Sequence, residues 1–414
     1  MNFNKRLKCV TCKGLIDCRI GMSNRDVQPF RFCCPACGEV IEFTLTQGVG
    51  FEFKNAEDQN FKGPFDGTYP FVDLHIDFPV SFGDYKMGYT PFMKAISRIG
   101  HKNFSFHNQR LNYLNDIYPL YSDLSRIIRL YSKNKQLFST LCSSKFHVDV
   151  ISNKQQDINA ALYMVIAKVF FPFSMPQDNA QAVDRNMNII TSLAKRNEIS
   201  FSSFIKEIIT SGFLKNLQKS CLEIYPRILD AELPLRSALF LDFDDDYEAE
   251  LVPFRISVED FKKYKDLYKD ISEILSRELI LIAGINNLDK RGDFDKFNDE
   301  GKFTPKHLNG FADIPFGTKL NYLDNNWYEL SDSSIDNKLR NAIAHYKVDY
   351  NEITQIITYY PRKEGIKQDK KECIYFLDFM RKILISYREM HRIHHLIKAL
   401  EYYHLLIYKD DSTK

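Results

Sequence analysis

No run of about eighteen apolar residues occurs in this chain of 414 residues, so no stretch of it reads as a bilayer span. Nor is one sign of charge in excess: 56 Lys and Arg stand against 54 Asp and Glu, a formal net charge of +2. That balance excludes a polybasic nucleic-acid coat and requires any anion-binding surface to be local. The charged start, Met1 to Lys8, has no apolar core behind it and does not read as a secretory signal. A Gly-rich phosphate cradle, a G-x-S-x-G elbow and a His-Glu-x-x-His helix are missing too, which argues against an NTPase, a serine hydrolase and a hydrolytic zinc enzyme. Disulfide pairs spread over a small secreted domain are also lacking. Six of the nine cysteines (Cys9, Cys12, Cys18, Cys33, Cys34 and Cys37) crowd the first 37 residues, while Cys142, Cys221 and Cys373 stand singly. This distribution points to a reduced, cytoplasmic protein with a metal site and no membrane partner.

Cys9-Val-Thr-Cys12 and Cys34-Pro-Ala-Cys37 are spaced so that one tight turn supplies two thiolates to a tetrahedral ion. Together they offer four ligands across a loop of 21 residues, with Gly14 and Gly38 beside the turns to let the backbone bend. The expected ion is Zn2+, and its role is structural, because four thiolates leave no position for water. Cys33 could replace Cys34, and Cys18 reads as a spare thiol. Residues 1–38 carry seven Lys/Arg and two Asp, hence +5, and a zinc centre with four thiolates (−2) leaves about +3. A mildly basic knuckle of this kind suits contact with nucleic acid or protein.

Patterning divides the chain into 1–50, a zinc ribbon; 55–250, a mostly helical middle domain with a few strands; and 257–410, a helical C-terminal domain. Asp73, His75 and Asp77 alternate with apolar residues over 72–78, the period of a half-buried strand with one solvated face. Helical spacing recurs at Leu124, Ile127, Ile128 and Tyr131 and at Phe204, Ile205, Ile208 and Ile209, punctuated by Pro172, Pro176, Pro226 and Pro234. The acidic stretch 241–250 reads as a solvated loop, with Asp244, Asp245 and Asp246 a weak Mg2+ candidate. Phe261, Tyr264, Tyr268, Ile271, Leu275 and Leu279 form one stripe of a long helix. A polar segment to Asn326 follows, then a helix capped near Asp332 or Ser333, with Ser333 and Asp336 as a capping box. A strand over Ile353–Tyr360 and a final helix over Ile374–Ile407 complete the reading. His391, His394 and His395 on that last helix are read as a phosphate-facing or solvated surface rather than a metal site.

Near the C-terminus one helix bears Arg340-Asn-Ala-Ile-Ala-His345. Cleaving RNA through its own 2′-OH needs a base for that proton and an acid for the leaving 5′-oxygen, and imidazole serves both near neutrality. A guanidinium stabilises the negative charge gathered on the phosphorane. Asn341 and His345, at i and i+4, share a face, and Arg340 has the reach to meet the same phosphate. One helix offers one imidazole; a two-fold dimer would offer two. The alternative is purely structural, with a solvated Arg340 and a His345 placed at the negative end of the helix dipole.

These residues resemble the signature of the HEPN superfamily of helical ribonucleases: Arg, a polar residue, small or apolar residues, then His. The resemblance covers roughly 257–410. It implies a helical bundle that forms a homodimer, with a shared metal-independent site of Arg340, Asn341 and His345. It further implies an RNA substrate (tRNA or mRNA) cut to 2′,3′-cyclic phosphate and 5′-hydroxyl ends, and a role in antiphage defence or as a toxin. The rest of the chain would then sense a trigger, a phage component or a nucleic acid. Tyr346 departs from the pattern, because Gly often follows the His. The alternative within the same resemblance is a non-catalytic dimerisation or binding module, with the zinc ribbon doing the recognition.

Overall fold

The computed structural model describes residues 1–247, 253–258, 260–298, 304–324, 327–361 and 370–408, and it is mainly helical, 56% helix against 15% strand. Eight short strands come first: β1 (Asn2–Cys9), β2 (Leu15–Gly21), β3 (Val27–Cys33), β4 (Val40–Thr46), β5 (Gly50–Lys54), β6 (Ala56–Asp58), β7 (Phe71–Leu74) and β8 (Val80–Ser81). Eight helices follow: α1 (Pro91–Ile117), α2 (Tyr121–Tyr131), α3 (Lys135–Phe146), α4 (Gln155–Phe170), α5 (Pro176–Arg196), α6 (Glu198–Thr210), α7 (Phe213–Asp230) and α8 (Glu232–Phe240). The remainder comprises β9 (Phe254–Arg255), α9 (Phe261–Arg291), α10 (Leu308–Ala312), α11 (Phe316–Lys319), α12 (Asn337–Ala344), β10 (Val348–Asn351), β11 (Ile356–Tyr359), β12 (Glu372–Tyr375) and α13 (Phe376–Leu406).

Two compact units result, and neither is continuous in sequence. The first takes Met1–Pro119, Asp230–Asp266 and Lys338–Leu384; the second takes Leu120–Leu229, Leu267–Asn337 and Ile385–Lys414. The segment 257–410 therefore contributes to both.

In the first unit, β6-β1-β2-β7 form a sheet in which only β2 and β7 run parallel. β3-β4-β5 and β10-β11-β12 are antiparallel meanders, and β8 pairs with β9. β4 buries Ile41, Phe43 and Leu45 on one face while Glu42 and Thr44 stay half-exposed, as period-two alternation requires. Leu7, Ile16, Ile20, Phe30, Phe32 and Phe43 share one apolar core with Val72, Leu74 and Ile76. Each large side chain so buried contributes about 1.5–3 kcal/mol.

The half-buried strand expected over 72–78 is corrected in two ways. Only Phe71–Leu74 is strand, and its polar neighbours lie inside the protein. Asp73 receives Arg19 at 2.6 Å and Lys94 at 3.0 Å, and Asp77 receives Arg236 at 2.6 Å, a guanidinium that also holds Glu232. A cation beside each buried carboxylate offsets the cost of keeping it charged. The acidic stretch is corrected for the same reason. Asp244 is buried against Arg98, and Asp242 pairs with Arg110 and Arg381; only Asp245 and Asp246 are exposed, and 248–250 lie outside the described residues.

The second unit is helical. Phe170 of α4, Tyr225 of α7 and Tyr387 of α13 pack ring against ring at its centre. Pro226 lies inside α7 instead of ending it, because the buried neighbours Tyr225, Ile228 and Leu229 hold the helix together across the missing hydrogen bond. The stripe on α9 is as the spacing predicts: Phe261, Tyr264, Tyr268, Ile271, Leu275 and Leu279 are all buried.

Two imidazoles of the first unit carry a pH consequence. Burial lowers His75 and His107 to about 4 each, against the pull of nearby Asp77. His75 Nδ1 accepts the Asp77 backbone N–H at 3.2 Å, and His107 Nε2 lies 2.9 Å from the Asp77 carbonyl oxygen. The unfolded chain binds protons on both rings below about pH 6.5, the folded chain only near pH 4. Their contribution is therefore complete above about pH 6.5 and lost as the pH falls toward 4, by up to about 1.4 kcal/mol per pH unit for each ring. Urea midpoints should drop between pH 7.5 and 5.0, and His107→Gln should flatten that drop. An equal slope in the variant would contradict the assignment.

Candidate functional site

The four-cysteine site grows from two matched turns in the first unit. After β1, Cys9 donates its N–H to the Gly14 carbonyl and Lys13 returns an N–H to the Cys9 carbonyl, both at 3.0 Å. After β3, Cys34 N–H reaches the Glu39 carbonyl at 2.8 Å and Gly38 N–H the Cys34 carbonyl at 2.9 Å. The residue after the second cysteine of each pair has positive φ: Gly38 at 77° and Lys13 at 63°. The expectation that Gly14 supplies the bend is corrected. Gly14 serves by its small size, since a Cβ there would stand 3.3 Å from Cys12 Sγ.

The sulfurs of Cys9, Cys12, Cys34 and Cys37 all lie within 4.8 Å of one another. Cys9 and Cys37 are 3.8 Å apart, Cys12 and Cys34 3.7 Å. Four sulfurs at about 2.3 Å from a tetrahedral Zn2+ would be spaced by about 3.8 Å, so the set fits that ion. Cys34, not Cys33, belongs to the set; Cys33 and Cys18 are buried in the sheets. The Gly14 backbone N–H is the largest influence lowering Cys12 to about 7, which favours the thiolate. Burial pushes Cys34 up to about 12, an opposition that a bound cation relieves. No other group of three or more such ligands converges among the described residues.

Arg340 and Asn341 lie midway along α12 and His345 directly follows its last residue, all three in the first unit. The helix begins later than its capping signals predict. Ser334 donates its hydroxyl to the Ser331 carbonyl at 2.5 Å, Asp332–Ser334 forms a 3-10 turn, and Ile335 is extended at φ −132°. Leu339, Ala342 and Ile343 bury one face of α12, which leaves Asn341 and His345 exposed on another. Arg340 is half-buried, donates to Asn341 Oδ1 at 2.9 Å, and has its pKa lowered by desolvation. His345 N–H closes the last helical bond, 3.0 Å from the Asn341 carbonyl.

The chain then turns on Tyr346, whose φ is 56°. Tyr346 N–H meets the Ile343 carbonyl at 3.2 Å and Lys347 N–H the Ala342 carbonyl at 2.8 Å, a paired closure that normally selects glycine. The Tyr346 ring is 88% exposed, so almost no packing holds it there. Tyr346→Gly should raise stability by roughly 0.5–1 kcal/mol by removing left-handed strain; an unchanged or lowered urea midpoint would count against this. Lys265 lies over that ring at 5.7 Å. The sequence held no signal for this neighbour, which comes from α9.

His391, His394 and His395 do not form a solvated face. In the second unit, His391 and His394 are buried, with the Tyr225 hydroxyl 2.8 Å from Nδ1 of each. Packing of α13 against α7 turns them inward.

Comparison with family models, with curated proteins and with solved structures returns no match. Among the described residues no helix is long and apolar enough to cross a membrane.

Proposed function

We propose that this protein is a metal-independent endoribonuclease of the HEPN type, acting as a homodimer in antiphage defence or as a toxin. The observation that carries the reading is the exposed imidazole of His345, with the exposed Asn341 one helical turn before it and the Arg340 guanidinium hydrogen-bonded to Asn341. A phosphodiester could approach this surface from solvent. His345 of one copy would take the 2′-OH proton while that oxygen attacks phosphorus. The P–O5′ bond breaks, and His345 of the second copy returns a proton to the leaving 5′-oxygen. Arg340 would stabilise the phosphorane charge, and Asn341 would orient the phosphate. The four-cysteine centre would hold Zn2+ structurally, outside the reaction.

The test is incubation of the purified full chain with end-labelled tRNA and mRNA, with chelator added together with substrate. Cleavage to 2′,3′-cyclic phosphate and 5′-hydroxyl ends is expected. Products with 5′-phosphate ends, or cleavage that chelator stops at once, would defeat the reading.

A further inference from the structure

The three histidines of α13 open onto a cavity of about 230 Å3 in the second unit, bounded also by α4, α7 and the start of α5. That volume is below the range typical of drug-sized ligands, so the occupant must be small. Its apolar wall includes Ile166 and Phe170, and Ala167 stands exposed on the rim. The polar lining combines three imidazoles and an ammonium with the neutral groups of Tyr163, Ser174, Asn179 and Tyr225. His394 is 3% exposed, and its Nε2 is buried with no hydrogen-bond partner among the described residues, as is Nε2 of His395. Lys398 lies over the Tyr163 ring at 5.0 Å, and among the described residues no carboxylate lines the space.

Tyr225 fixes the logic of the rings. Its single hydroxyl proton can serve only one of the two Nδ1 atoms, so it must accept from the other. When the hydroxyl donates to His394 Nδ1, the His394 proton is forced onto Nε2, where it has no partner among the described residues. Pro176 and Asn179 bring the first turn of the 21-residue α5 to the same cavity, and that helix lacks a side-chain cap. With His394 in that tautomer, an N–H donor, a cation and the positive end of a helix dipole meet beside hydrocarbon.

We propose that this cavity binds a small organic carboxylate, with its charged end at His394, His395 and Lys398 and its apolar body against Ile166 and Phe170. A metal is the poorer occupant. The ammonium of Lys398 opposes a second cation, and the ring nitrogens do not converge as three ligands. Desolvation already lowers His394 to about 3 and Lys398 below its usual range, a cost that an arriving anion relieves.

The test is calorimetry on the full chain with benzoate, benzamide and inorganic phosphate as probes. Benzoate should bind saturably, and benzamide at least tenfold more weakly. Lys398→Met removes the cation and Ala167→Trp obstructs the rim; each should weaken benzoate at least tenfold. The proposal is overturned if benzoate does not saturate, if benzamide binds equally well, if both variants bind as the parent does, or if phosphate outcompetes benzoate. Should Lys398→Met fail to fold, the exposed Ala167→Trp decides alone. None of these outcomes depends on RNA cleavage.

Discussion

His345→Ala should lower RNA cleavage by about 10²–10⁴-fold, the range for losing a proton-transfer group. The argument starts from where the side chain stands. His345 is exposed one residue beyond α12, so its truncation removes little buried contact, and stability should change by no more than about 0.5 kcal/mol. The turn that follows is closed by backbone bonds from Tyr346 and Lys347, which do not use the imidazole. A collapse of rate with an unchanged urea midpoint therefore identifies chemistry rather than folding. Because one copy would accept a proton and the other would donate one, mixed dimers with one His345→Ala copy should be impaired as well. A variant that cleaves at the parental rate would end the nuclease reading.

Cys34→Ser should cost more free energy than any other single change considered for this chain. Structural Zn2+ contributes on the order of 10 kcal/mol when all four thiolates bind it. Cys34 is fully buried within the core that also holds Leu7, Ile41 and Phe43, so a hydroxyl left there loses its ion and gains no solvent. Metal content should fall from about one Zn2+ per chain to near zero, with loss of the cooperative unfolding of the first unit. Cys33→Ala, one position away and outside the ligand set, should keep its metal. Equal zinc in the Cys34 variant and the parent would refute the assignment.

What the sequence made legible was local. The two Cys-x-x-Cys turns, the stripe on α9 and the length of α13 each follow from spacing within a few turns of chain. What it hid depends on partners far away. Asp77 reads as a solvated strand residue until Arg236, 159 positions later, is placed against it. His391 and His394 read as a wet helix face until Tyr225 of α7 is set between them. Charge and imidazole are ambiguous signals, because burial with a partner and exposure without one leave the same letters. β10 and β12 escaped for a different reason. Each is four residues long, and they hydrogen-bond to the single strand that the pattern did reveal, around β11. The helix at 337–344 was placed correctly in its body and wrongly at its start, since the Ser331–Ser334 turn competes for the same backbone groups.

The interleaving of the two units sets an order of assembly during synthesis. Met1–Pro119 is made before the segment Lys338–Leu384 that completes its unit, and residues 120–337 are made between them. At about 5–20 residues per second that delay is tens of seconds, during which the early strands present unfinished apolar surface to chaperones. The cysteine turns, all within the first 37 residues, are complete early, so a metal ion bound there would order that end first. Arg340 and His345 arrive with that same segment, so a chain interrupted before Lys338 lacks both.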